Sequence, residues 1–205
     1  MGRAEELERL RHALADAVAR STCRLVTVVG DAGIGKTRLV GELVSTVDGA
    51  TRTLRGRCLP YGEGITFWPI AEIVREAAGI FETDPPDVAG SRIRDIVVQS
   101  REEALDDIVD PVLAIAGAAE GAGDLQQTFW AVRRFLESLA GGGALIVIVE
   151  DIHWAEPTLL DLLQYVAGFS HGYPLLLLCT ARPEIRELRP EPIDGAELVV
   201  LQPLS

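Results

Sequence analysis

Gly30-Asp31-Ala32-Gly33-Ile34-Gly35-Lys36-Thr37 gathers three glycines, an ammonium group and a hydroxyl in one short stretch. Glycines let a loop wrap with successive N–H groups pointing inward, where side chains would block a close approach. Lys36 is then a flexible point charge for the β and γ phosphates of a nucleotide, and Thr37 a hydroxyl ligand for Mg²⁺. The stretch matches G-x-x-x-x-G-K-[ST] in full, a pattern that needs a strand before it and a helix after it. Among the nineteen Lys plus Arg residues there is a single lysine, Lys36, and arginine is a poor substitute for its compact ammonium.

Far downstream, the apolar run Leu145-Ile146-Val147-Ile148-Val149 ends on Glu150 and Asp151. Opposite a phosphate loop, one such carboxylate holds Mg²⁺ and its neighbour orients or deprotonates water. Glu stands where Asp is customary for the metal, and the shorter Asp stands where a catalytic Glu is usual, so slow hydrolysis is expected. Which of the two takes which task is left open. His153 and Trp154 follow at once and read as packing or hydrogen-bonding residues, without a catalytic assignment.

Three other chemistries fail on spacing or on the order of elements. The glycines at 30, 33 and 35 run G-x-x-G-x-G, not the G-x-G-x-x-G of a dinucleotide fold. Gly168-Phe169-Ser170-His171-Gly172 matches G-x-S-x-G, but a helical pattern precedes Ser170 and a strand follows, the reverse of a nucleophile elbow. His12, His153 and His171 lack ligand spacing with one another or with the cysteines, which leaves Mg²⁺ carried by nucleotide as the expected metal.

The elements that must position these residues alternate. Residues 4–20 form an amphipathic helix with Glu5 and Glu6 in its first turn. Leu25 to Val29 is a strand, and Leu39, Leu43 and Val44 resume helical spacing after the glycine loop. Thr51 to Arg57 suits a second strand, and Pro69 opens a helix to about Ala78. From 84 to 140 the pattern is a helical insertion interrupted by Gly90 and Pro111, with Asp124 capping a last helix through Leu139. Then come the Leu145 strand, a helix from Pro157, and strands at Leu175 to Thr180 and Glu197 to Leu201. The order predicts a three-layer α/β domain over 1–205 with a parallel sheet.

Bulk properties narrow the function classes. With 48% hydrophobic residues and mean hydropathy +0.21, the chain can bury one substantial core. No apolar run approaches the ~20 residues of a membrane span, and the opening Met1 to Leu7 has no export or acylation pattern. Cys23, Cys58 and Cys179 read as reduced core thiols, which points to the cytoplasm. A formal charge of −12 argues against direct contact with nucleic acid.

Taken together, Gly2-Arg3-Ala4-Glu5-Glu6-Leu7, the Gly30 to Thr37 loop and Val149-Glu150-Asp151-Ile152-His153-Trp154-Ala155-Glu156-Pro157 resemble the nucleotide-binding domain of STAND-type AAA+ P-loop ATPases. Such domains occur in bacterial multidomain transcriptional regulators and in cyclase-linked ATPases, and the stretch from Arg55 to Pro69 resembles the cyclase-linked members. The resemblance implies five strands ordered 5-1-4-3-2 and a sensor segment Thr180-Ala181-Arg182-Pro183, with Arg182 sensing the γ-phosphate. It also implies adenine contacts near Gly2 and Arg3, and Arg38 is counted with the nucleotide contacts. A helical lid is expected beyond residue 205. The implied ligands are ATP or ADP with Mg²⁺, and the implied partners are other domains of a larger protein, with nucleotide-dependent self-association. The expected activity is slow ATP hydrolysis that switches the output of that protein; the alternative is an ATP/ADP-binding module without significant turnover. For Arg182 the competing reading is an ion pair with Glu184 or Glu187.

Overall fold

The computed structural model describes residues 2–60, 66–98, 105–118, 124–185 and 196–203. Its strands are β1 (Cys23–Val29), β2 (Arg52–Arg57), β3 (Leu145–Glu150), β4 (Leu175–Ala181) and β5 (Glu197–Val200). The helices are α1 (Ala4–Arg20), α2 (Lys36–Thr46), α3 (Trp68–Ala78), α4 (Pro86–Val97), α5 (Leu105–Ile115), α6 (Leu125–Ala140) and α7 (Pro157–Phe169). All strand pairs are parallel, and the sheet order β2-β3-β4-β1-β5 is the expected 5-1-4-3-2 read from the other edge.

Alternation along each strand sorts its side chains into two cores, because successive residues point to opposite faces. Val26, Val28, Ile146, Ile148, Leu176, Leu178 and Val199 pack with Leu7 and Leu10 of α1 and Leu39 and Leu43 of α2. Leu25, Leu54, Val147, Val149, Leu177 and Cys179 pack on the other face with α3 to α7. The central β3 and β4 are buried throughout apart from Glu150. That explains their unbroken apolar runs. All three cysteines are free and buried.

The insertion departs from expectation in detail. Gly90 lies inside α4 and Pro111 inside α5, so neither interrupts its helix. An ideal Cβ on Gly90 would sit 3.6 Å from Leu113 Cδ2, which shows α4 packed close to α5; tertiary burial outweighs the roughly 1 kcal/mol that glycine costs a helix interior. Pro111 removes one backbone donor, but Ile108, Val109 and Val112 around it are buried and hold the helix in place. Asp124 stands at the N-cap of α6 without a side-chain capping bond; instead Thr128 Oγ1 donates to the Asp124 carbonyl at 3.1 Å. Residues 99–104 and 119–123 of the insertion, and 61–65 of the stretch after β2, lie outside the described residues.

Strand β2 is one sheet edge, and α3 closes it. The outward amides of Arg55 and Arg57 donate to Glu76 and Glu72 carboxylates at 3.0 and 2.7 Å, a paired edge in place of an exposed one. The approach is close enough that a Cβ on Gly56 would meet the Pro69 carbonyl oxygen at 2.1 Å. Gly56→Ala is therefore expected to lower the urea-unfolding free energy by at least about 2 kcal/mol, because backbone must move to admit the methyl. A change within about 0.5 kcal/mol would show that α3 does not sit on this strand.

Candidate functional site

The loop after β1 is built by backbone geometry. Strand β1 runs between β4 and β5, and Gly30 N–H donates to the Ala181 carbonyl at 3.2 Å, while Leu201 N–H donates to Val29 at 2.7 Å. Gly33 and Gly35 have φ of +75° and +106°, conformations that side-chain-bearing residues avoid, and no atom lies within 4 Å of where their Cβ would be. Helix α2 starts at Lys36 with Gly35 at its N-cap and no side-chain cap, so its first amides remain for an anion. Lys36 is buried. Its Nζ donates to the carbonyls of Gly30 at 2.6 Å and Asp31 at 2.9 Å, which occupies two of three ammonium donors. Burial holds its pKa below the ordinary lysine value, while the Asp151 charge acts in the opposite direction.

Lys36, Thr37 and Arg38 line a cleft of about 380 Å³ together with Ala32, Gly33, Gly35, Arg57, Glu150, Asp151, Thr180 and Arg182. The loop, both carboxylates and Arg182 are therefore brought together at the C-terminal end of the sheet, where open α/β folds bind ligands. Thr37, Glu150 and Asp151 offer hard oxygen donors that suit Mg²⁺. No group of three or more His, Cys, Asp and Glu that could hold a metal occurs among the described residues, so the ion would draw further oxygens from phosphates, its usual habit in nucleotide sites.

The acidic pair is held on several sides. Asp151 adopts a left-handed backbone, φ 59°, tolerated by Asp better than by most residues, and its amide donates to Thr180 Oγ1 at 3.1 Å. Its Oδ2 accepts from Arg57 Nε at 2.9 Å and Nη2 at 2.7 Å. Glu150 Oε1 accepts from Arg55 at 3.2 Å. The pairing follows from register: Arg57 is opposite Glu150, and Arg55 and Arg57 share the face away from Leu54. Sequence reasoning missed both arginines as partners of the pair; Arg55-Gly56-Arg57 at a strand end was the available signal, but nothing local gives the register.

His153 is also buried. It sits in a short 3₁₀ turn, Ile152–Trp154, and its Nδ1 accepts the Arg182 amide at 3.3 Å. This is the hydrogen-bonding role expected of it, and burial pushes its pKa below the ordinary histidine value. The Arg182 guanidinium makes no ion pair among the described residues; Glu187 lies outside them. Arg3 is heavily engaged: it donates to Glu6 at 2.8 Å, to the Ile34 carbonyl at 3.3 Å and to the Gln202 carbonyl at 2.6 Å. It thus ties the start of α1 to the phosphate loop and to the exit of β5. A larger hollow of about 870 Å³ opens beside this tie, between Gly2, Arg3, Leu7, Ile34, Arg38 and Glu42.

A five-stranded parallel sheet of this order, with the G-x-x-x-x-G-K-T loop leaving a central strand, defines a P-loop NTPase fold. The chain belongs to the AAA ATPase domain family, whose model matches residues 1–178. Membership suggests nucleotide binding and hydrolysis. The chain is also similar to an uncharacterised protein of Rhizobium meliloti (strain 1021), 32% identical over 178 residues. That match covers 82% of this chain and 17% of the relative, so the chain spans a small part of that protein's length.

Two stability outcomes follow. Thr180 is buried, so Thr180→Val leaves the Asp151 amide without its acceptor and is expected to cost about 1–3 kcal/mol in chemical denaturation; an unchanged midpoint would mean that this bond is not formed. The Arg3 hydrogen bond, partly offset by burial, holds the Glu6 carboxyl below its ordinary value of 4.5. A depressed carboxylate stabilises the fold above its unfolded pKa and loses that contribution as pH falls through the folded one. Glu6→Gln should therefore cost about 0.2–1 kcal/mol at neutral pH, and the gap from wild type should close as pH drops below 4.5. A gap independent of pH would remove the ion pair as its cause.

Proposed function

We propose that this domain binds Mg-ATP, hydrolyses it slowly, and through its ATP- or ADP-occupied state sets the output of a larger regulatory protein of the STAND type. The observation that carries this reading is the single cleft shared by Lys36, Thr37, Glu150, Asp151 and Arg182. Lys36 and the loop amides other than those of Gly30 and Ile34, which bond the Ala181 and Asp31 carbonyls, hold the phosphates, with Gly30, Asp31, Ala32 and Ile34 as part of that cradle. Thr37 and one carboxylate hold Mg²⁺, which would neutralise phosphate charge; the other carboxylate orients water. Arg182 reads the terminal phosphate, held in place through its amide by His153. The hollow beside Gly2 and Arg3 suits the adenosine moiety, with Arg38 between it and the phosphate cleft.

Slow turnover is supported by the inverted Glu-Asp order and by the arginine pairing of both carboxylates. The same pairing favours a second reading, a nucleotide-responsive binding module with no significant turnover. A regulatory setting is supported by the small share of the relative that the chain spans; contacts with other domains of such a protein, and nucleotide-dependent self-association, belong to the proposal. Among the described residues no helix is long and apolar enough to cross a membrane, and a cytoplasmic site is part of the same reading.

Calorimetric titration with Mg-ATP and Mg-ADP tests it. Lys36→Ala should weaken triphosphate binding at least about tenfold, equivalent to about 1.4 kcal/mol, because a charge-assisted phosphate contact is lost. Equal affinity in the two proteins would end the phosphate-cleft reading. Phosphate release under the same conditions separates slow hydrolysis from none.

A further inference from the structure

Arg57 has no role in the scheme above, yet it occupies the position where that scheme is most constrained. It stands at the C-terminal end of the edge strand β2, in register with Glu150, and directs two N–H donors at one oxygen of Asp151. It lines the phosphate cleft with Lys36 and Arg182. Arg55, two residues earlier on the same face, pairs with Glu150 but is not part of the cleft lining. The Arg57 side chain is 62% exposed, so it can turn without disturbing the core.

Arg57 takes only Oδ2 of Asp151, so a metal arriving at this carboxylate meets it as a competing charge and not as a blocked ligand. A guanidinium seated on Asp151 is repelled by a dication arriving at the acidic pair, and a nucleotide brings several phosphate charges into the same small cleft. The guanidinium fork matches phosphate oxygens as well as it matches carboxylate. A long, solvent-facing arginine that loses its carboxylate therefore has its next anion a short swing away.

We propose that Arg57 is a phosphate-sensing residue that rests on Asp151 in the nucleotide-free protein and turns onto the terminal phosphate when Asp151 is taken up in Mg-ATP binding. This deepens the proposed function and rests on it. Only a nucleotide with a terminal phosphate gives the displaced guanidinium a new anion, so the position of Arg57 distinguishes ATP from ADP. No covalent step is involved.

Titration of wild type, Arg57→Ala, Arg57→Lys, Arg55→Ala and Lys36→Ala with Mg-ATP and Mg-ADP tests this, with thermal melting to confirm that each variant is folded. Arg57→Ala should weaken Mg-ATP at least about fivefold and Mg-ADP less than about twofold, the loss of one solvent-accessible charged contact. Arg57→Lys should fall between, and Arg55→Ala should leave the ratio of the two affinities unchanged. With EDTA in place of magnesium, Asp151 keeps its arginine, so the Arg57→Ala effect on ATP should shrink to within about twofold. Equal losses for both nucleotides, or none for either, would overturn the proposal and leave Arg57 a counter-ion of Asp151. An undiminished effect in EDTA would overturn the exchange. If Lys36→Ala also binds ATP normally, it is the phosphate-cleft reading itself that has failed, an outcome distinct from the others.

Discussion

The turn from β1 into α2 is the constraint on which the rest of the structure depends. A buried central strand must hand over to a helix packed on the same sheet, with intervening amides other than those of Gly30 and Ile34 left for an anion. Gly33 and Gly35 accomplish this by positive φ, and the helix then begins at the one lysine in the chain. Because β1 is flanked by β4 and β5, backbone bonds from Gly30 to Ala181 and from Leu201 to Val29 fasten the ends of those strands to the loop. Arg182, one residue past β4, reaches the cleft for that reason.

Charge is distributed against the average of the molecule. The chain carries −12 overall, while Lys36, Arg38, Arg57 and Arg182 converge on a cleft lined, among the described residues, by the carboxylates of Glu150 and Asp151. Screening confines the long-range acidic field to about 8 Å at physiological salt, so the local cations decide what enters. Lys36 shows the balance: burial opposes its charge and Asp151 supports it. The negative charge of a polyphosphate would offset the first effect and act in the same direction as the second.

Three polar ties join the strand ends into one unit. Arg57 holds Asp151 from β2, Thr180 receives the Asp151 amide from β4, and His153 receives the Arg182 amide from the turn after β3. The acidic pair and Arg182 are thereby connected to the ends of three strands. The tie from Arg3 to Ile34 and Gln202 links both the phosphate loop and the exit of β5 to the first helix.

Local physics made much of this legible in the sequence. The phosphate loop, the apolar runs of β1, β3 and β4, and the helix starts at Ala4 and Pro157 all follow from residue types a few positions apart, since glycine, proline and hydrophobic period act at short range. The strand order came from family resemblance, not from periodicity. Gly90 and Pro111 read as interruptions because their intrinsic cost is visible in the sequence and the burial that outweighs it is not. Arg55 and Arg57 went unnoticed for a similar reason: their partners lie some ninety residues away, and only parallel pairing of β2 with β3 brings them together. Chemistry that depends on neighbours in the chain was written in the sequence; chemistry that depends on strand register was decided by the tertiary structure, because a shift of one residue sends every side chain of β2 to the other face.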